Sequence, residues 1–297
     1  MKDLLLRGIT RPGDLRVILV EDTDLSRMAR MLHGLAPTSA SIFAEALTAG
    51  LLLGALQKDR TRVNLSLEVD GPLSGVLVDA DAEGNIRGRV RQPDVHFPGD
   101  PAVGPRAALG GSGTLSVLRD LGQGEFYRGS VEFTPGTLTE NLRRYFAASE
   151  QVATAIDVQV VAAGGELLGA VAGIVVQKMP DGSLPALEEV RSRIAGGAFR
   201  EALAGGSAAE ALARSVVGDG LEVLSRQPVS YVCNCSRERA VNAVSALGPD
   251  GIRSVLAEEK QVVIDCEFCK KRYVIDEAEL AHIARQLEGG VPGGAKA

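Results

Sequence analysis

The chain has 297 residues, 45% of them hydrophobic but only 4% aromatic, with no tryptophan. It exceeds one typical domain and must build its core from Leu, Val, Ile and Ala. A formal net charge of −6 and a pI of about 5.3 argue against nucleic acid as a general partner, because that role needs a basic surface to displace phosphate counterions.

At the N-terminus only Leu4, Leu5 and Leu6 are consecutive apolar residues, too few for a signal-peptide core. No uninterrupted apolar run approaches a bilayer span, so no membrane partner and a cytoplasmic location are expected. Residues 15–20 read as a buried strand. Residues 24–35 carry helical spacing at Leu25, Met28, Met31 and Leu32, and Pro37 stops that helix. Residues 40–56 read as a second helix, apolar nearly all round and therefore central to a core. Alternation at Val63, Leu65, Leu67 and Val69 marks a strand, followed through turns by strands over 75–80 and 86–91. The Pro- and Gly-rich stretch 92–113 reads as a long surface loop. Two further hairpins are expected, 115–118 with 125–133 and 155–161 with 167–177. Between them Thr137 and Glu140 form a capping box that opens a helix to about Ser149.

Hairpins with segregated helices give an α+β fold with mainly antiparallel sheets over residues 1–180. Residues 181–228 read as a helical linker. Leu184, Leu187, Val190 and Ile194 share one helical face, and Gly196-Gly197 and Gly205-Gly206 break the pattern. Ser207 and Glu210 suggest a second capping box. From Ala195 to Asp219, 13 of 25 residues are Ala or Gly. Each interior Gly costs roughly 1 kcal/mol of helix stability, so these helices depend on docking to neighbours.

Residues 229–290 read as a small C-terminal module holding all four cysteines, Cys233 and Cys235 as C-x-C and Cys266 and Cys269 as C-x-x-C, thirty residues apart. Two close pairs that can fold together build a tetrahedral thiolate site of the kind Zn²⁺ favours. The C-x-C arm also brings two sulfurs close enough to oxidise to each other through a small, strained ring. Arg237, Arg239, Lys270, Lys271 and Arg272 flank the pairs, and positive charge favours thiolate. A purely structural zinc knuckle and a redox-sensing zinc site both satisfy this spacing. Short helices are expected over 240–247 and 249–258, a strand over 272–275, a helix over 277–287 and a loose tail from Val291.

Other signals are weaker. Gly110-Gly111-Ser112-Gly113 lacks the Gly-Lys-Ser/Thr of a phosphate loop and reads as a turn. His33, His96 and His282 fall in no ligand spacing with the cysteines, and no catalytic constellation is visible. Nothing here demands an enzyme.

With these residues in hand, the sequence resembles the redox-regulated heat-shock protein 33 chaperone family. The two cysteine pairs carry the resemblance most strongly. Support comes from Ser26 to His33 (SRMARMLH), Gly113 to Gly122 (GTLSVLRDLG) and Tyr145 to Gln151 (YFAASEQ). The resemblance implies an ATP-independent bacterial holdase in the cytoplasm, with one Zn²⁺ per chain on Cys233, Cys235, Cys266 and Cys269 in the reduced, inactive state. It further implies that oxidation pairs Cys233 with Cys235 and Cys266 with Cys269 and releases the metal. The zinc unit and linker then unfold, apolar surface opens to unfolding client proteins, and homodimers form. Two other classes compete. One is a zinc-ribbon-like adaptor presenting Lys270, Lys271 and Arg272 to RNA or a protein. The other is a thiol oxidoreductase using Cys266 and Cys269, which lacks the βαβ context of such motifs.

Overall fold

A computed structural model describes residues 3–11, 14–57, 61–99, 103–122, 124–149, 152–163 and 165–288. The chain divides into two compact units, Met1–Val232 and Cys233–Ala297. The expected loose tail from Val291 lies outside the described residues.

The first unit opens with β1 (Leu4–Thr10), β2 (Leu15–Glu21), α1 (Thr23–His33) and α2 (Pro37–Ala55). Gly34, at φ 62°, ends α1 in the left-handed conformation, and Pro37 opens α2 in its first turn. A meander follows: β3 (Arg62–Val69), β4 (Gly75–Asp81) and β5 (Asn85–Val90). The Asp81 carboxylate accepts from the N–H groups of Glu83 and Asn85, at 2.9 and 3.1 Å, and so fixes the β4–β5 turn. Then come α3 (Val103–Leu109), the hairpin β6 (Gly113–Gly122) and β7 (Glu125–Phe133), α4 (Leu138–Ser149), and the hairpin β8 (Thr154–Ala163) and β9 (Glu166–Lys178). The capping box of α4 forms as its sequence requires: Thr137 Oγ1 accepts from Glu140 N–H and the Glu140 carboxylate accepts from Thr137 N–H. Three short helices, α5 (Leu184–Ala195), α6 (Ala198–Ala204) and α7 (Ala209–Val217), precede β10 (Leu221–Pro228) and β11 (Ser230–Tyr231).

These strands form a five-stranded sheet, β10-β1-β2-β9-β8, and a six-stranded sheet, β11-β5-β4-β3-β6-β7. Every pairing is antiparallel except β11 with β5. The α+β class is therefore the observed one. Helix α2 packs against strands of both sheets, and it is long and apolar enough to cross a membrane, yet 94% of its most apolar window is buried inside the protein. A Cβ on Gly54 would lie 2.6 Å from Asp81 O, and one on Gly50 would lie 2.9 Å from Val78 Cγ2. These two glycines let β4 lie directly on the helix.

The five-stranded sheet is covered on both faces. Leu5, Ile18, Val20 and Val175 face α2, while Leu6, Val17, Leu19, Ile174 and Val176 face Leu187, Val190, Phe199, Leu203, Leu212 and Val216 of α5 to α7. That double burial is why β2 reads as an unbroken apolar run rather than an alternation. The helices α5 to α7 break at the two Gly pairs, with Gly197 at φ 87° and Gly206 at φ 73°.

Three local expectations are corrected. The 92–113 stretch is not all loop, because α3 forms where Ala108 and Leu109 can be buried. Residues 181–228 are not all helical, because β10 pairs with β1 across more than two hundred residues. The expected Ser207 cap does not form: α7 is capped at Ala208 without a side-chain hydrogen bond.

The second unit contains α8 (Arg237–Ser245), α9 (Gly248–Glu258), the hairpin β12 (Gln261–Asp265) and β13 (Arg272–Asp276), and α10 (Glu277–Glu288). Its fully apolar centre is small: Val244, Ile252, Ile275, Leu280, Ile283 and Ala284. A two-stranded hairpin is marginal alone, and so small a core rarely stabilises a unit of this size without a disulfide or metal.

Candidate metal centre

Cys233 and Cys235 lie on the extended stretch before α8, whose N-cap Ser236 accepts from Arg239 N–H. Cys266 and Cys269 occupy the turn between β12 and β13. That turn is closed by Cys266 N–H to Lys271 O at 2.9 Å and Lys270 N–H to Cys266 O at 2.8 Å. Lys270 adopts φ 58°, a left-handed conformation that a non-glycine residue enters at some expense. The turn is thus built to aim two sulfurs at one point.

The four Sγ atoms lie within 4.8 Å of one another. Cys233 Sγ is 3.7 Å from Cys266 Sγ, and Cys235 Sγ is 3.3 Å from Cys269 Sγ. A tetrahedral Zn²⁺ at about 2.3 Å from each sulfur requires sulfur–sulfur edges of about 3.8 Å. The donor set and its spread fit such an ion, and four close cysteines can hold a metal. Both of these contacts run between the C-x-C and C-x-x-C arms, tying residues thirty-three and thirty-four apart.

Sequence reasoning missed Tyr273, whose hydroxyl donates to Cys235 Sγ at 3.1 Å. The signal was present: β13 alternates exposed and buried residues, which turns Tyr273 inward beside Ile275. Burial pushes the Cys235 thiol up, but the Tyr273 hydroxyl and the neighbouring thiols outweigh it and bring it down to about 7. Burial and the surrounding thiols push Cys269 up to about 12, and burial also raises Cys233. One thiolate is favoured among four close sulfurs because each further negative charge repels the first.

The basic residues expected to promote thiolate are differently engaged. Arg272 makes a two-point pair with the Asp265 carboxylate at 2.8 and 2.7 Å, Arg237 pairs with Glu279, and the Lys271 ammonium lies over the Tyr273 ring, 5.3 Å from its centroid. The hydrogen bonds from Tyr273 and the neighbouring thiols, rather than these charges, account for the low thiol.

Outside the cysteines, His33 is buried in the first unit, with Nε2 3.0 Å from the Tyr231 hydroxyl, and His96 and His282 are exposed. Among the described residues the cysteines alone form a potential metal cluster. The Gly110–Gly113 turn wraps a carboxylate instead of a phosphate: Asp70 accepts from the N–H groups of Gly111 and Ser112 and from the Ser112 hydroxyl. Those bonds hold the Asp70 carboxyl below its usual range.

Comparison with known proteins covers nearly the whole chain. The family profile described as Hsp33 protein matches residues 3–276. The 33 kDa chaperonin of Geobacillus kaustophilus (strain HTA426) is 32% identical over 289 residues, 95% of this chain and 98% of the relative. That of Geobacter sulfurreducens is 34% identical over 288 residues, 96% of each chain. The crystal structure of the 33 kDa chaperonin from Thermotoga maritima superposes with a TM-score of 0.87 at 24% identity, covering 96% of this chain and 99% of that one. With the family profile spanning both the doubly covered sheet and the four-cysteine cluster, the chain belongs to the Hsp33 family.

Proposed function

We propose that this chain is an ATP-independent chaperone, a holdase rather than an enzyme, kept inactive in the bacterial cytoplasm while its four thiols hold one Zn²⁺. The observation that supports this most directly is the cluster of four sulfurs within 4.8 Å in a unit whose apolar centre is very small. When bound, zinc would close the four thiolates into one tetrahedral site and supply folding stability. Two-electron oxidation of each thiol pair by a peroxide forms one disulfide and reduces one peroxide to two waters. We assign the pairs as Cys233–Cys235 and Cys266–Cys269. With its thiolates consumed the site loses its hold on the ion, and a small core is left to stabilise residues 229–290.

Residues 181–228 are the segment that responds. Its helices are short, interrupted at two Gly pairs, and held by apolar contact with the five-stranded sheet, whose edge strand β10 also belongs to this segment. Their release uncovers Leu6, Val17, Leu19, Ile174 and Val176, an apolar face suited to unfolding client proteins and to pairing of two oxidised chains. The test is zinc content and free thiols per chain, before and after peroxide at raised temperature. One zinc and four protected thiols, falling to no zinc and no free thiol while client light scattering drops, is the expected result. Zinc retained after oxidation would sink the redox mechanism and leave a structural knuckle.

A further inference from the structure

A cleft of about 640 Å³ opens in the first unit between α4, the start of β8 and α5. The two helices present the same pattern to it. Helix α4 contributes Arg143, Phe146 and Ala147, and α5 contributes Arg191, Ile194 and Ala195, in each case at positions i, i+3 and i+4. Residues 152–156 form the floor.

The two arginines are anchored to one strand edge. Strand β8 ends its sheet, and Arg143 Nε donates to Ile156 O at 3.0 Å while an Arg191 Nη donates to Thr154 O at 2.9 Å. Each guanidinium also meets a carboxylate, Asp157 for Arg143 and Glu188 for Arg191. Among the described residues, Arg143 Nη1 and Arg191 Nε make no hydrogen bond. The Thr154 hydroxyl is occupied, donating to Val152 O at 2.8 Å. Among the described residues the lining has no Asp, Glu, Asn, Gln or His, so their uncommitted side-chain chemistry is N–H donors at the rim and hydrocarbon within. A volume of this size suits a small organic ligand, and a guanidinium fork suits a carboxylate.

We propose that this cleft binds an amphiphilic monocarboxylate, with its head group on Arg143 and Arg191 and its aliphatic body against Phe146, Ile156 and Ile194. Because α4 forms one wall and α5 the other, above a floor that includes the start of β8, the ligand bridges the two helices and holds α5 in place. The site uses nothing from the cysteine unit, so its test is independent of the redox reading.

The probe is octanoate added to the full-length reduced protein, followed by methyl NMR of Ile156 and Ile194 and by calorimetric titration. Saturable shifts at both methyls are expected, with a Kd of about 0.1–1 mM and at least tenfold weaker binding of octanol. Amide exchange along α5 should slow on saturation. Ala195→Leu, at an exposed helical position, narrows the cleft and should weaken both shifts without unfolding the unit. Arg191→Gln should weaken octanoate tenfold and leave octanol unchanged. Absent or non-saturable shifts, equal binding of octanol, or full binding by Ala195→Leu would overturn the assignment.

Discussion

The Tyr231 hydroxyl shows how much one side chain organises. It donates to Gly88 O at 2.9 Å and accepts from Gly88 N–H at 3.2 Å, with His33 Nε2 at 3.0 Å. With its proton on Gly88 O, the hydroxyl accepts from His33, which places the imidazole proton on Nε2. A Cβ at Gly88 would meet Val78 Cγ1 at 2.7 Å and Phe43 Cε2 at 2.8 Å, so only glycine brings that backbone to the tyrosine. Tyr231→Phe removes these three hydrogen bonds and should lower the stability of the first unit by about 1–3 kcal/mol, as read from urea unfolding. Asp22 provides a pH-dependent counterpart. It is fully buried, accepts from Thr48 Oγ1 at 2.8 Å and Ser26 Oγ at 3.3 Å, and burial raises its carboxyl to about 8. A carboxyl raised on folding stabilises fully below its unfolded value of about 4, and that stabilisation is lost as pH rises toward 8. Unfolding free energy should therefore fall by a few kcal/mol across that window, and Asp22→Asn should flatten the profile. Burial raises Glu45 in the same direction, so the difference between the two profiles is the measurement. An unchanged profile in the variant would remove Asp22 from the account.

Among the elements, α5 to α7 combine weak helices with strong docking. Phe199 is fully buried against the five-stranded sheet, and Phe199→Ala should destabilise the docked helices by about 3–5 kcal/mol. The expected outcome is faster proteolysis within 184–217 of the reduced protein and, on the proposed mechanism, client binding that does not require an oxidant. Intact helices and an unchanged oxidant requirement would separate docking from activation. The helix breaks at Gly196-Gly197 and Gly205-Gly206 were legible, because the left-handed φ at Gly197 and Gly206 is a preference the sequence states locally. Strand β10 was not legible. Its Leu221–Pro228 segment acquires strand structure by pairing with β1, and no local periodicity encodes a partner at the other end of the chain. Helix α3 was hidden for a related reason, since its seven residues form no stable helix without burial of Ala108 and Leu109.

For the whole molecule, the two units should respond differently to loss of the cysteine cluster. Chelation, or Cys269→Ser, should abolish amide protection in β12, β13 and α10 while protection in β2 and β9 persists. Native-state hydrogen exchange reads both together. Binding of structural zinc contributes on the order of 10 kcal/mol in small modules, more than the apolar centre around Ile252 and Ile275 can replace. Retained protection in β13 after chelation would show that this centre suffices alone.

The sequence by itself determined the α+β class, the centrality of α2, most hairpins and the four cysteines, because turn chemistry, apolar periodicity and ligand spacing are local properties. Only the tertiary structure decided that the sulfurs meet across the two arms, that Tyr273 rather than a flanking basic residue donates to Cys235, and that α5 to α7 cover one face of a sheet whose other face holds α2. Each of these depends on residues distant in sequence arriving at one place, and their proximity is set by packing, which no stretch of the chain carries alone.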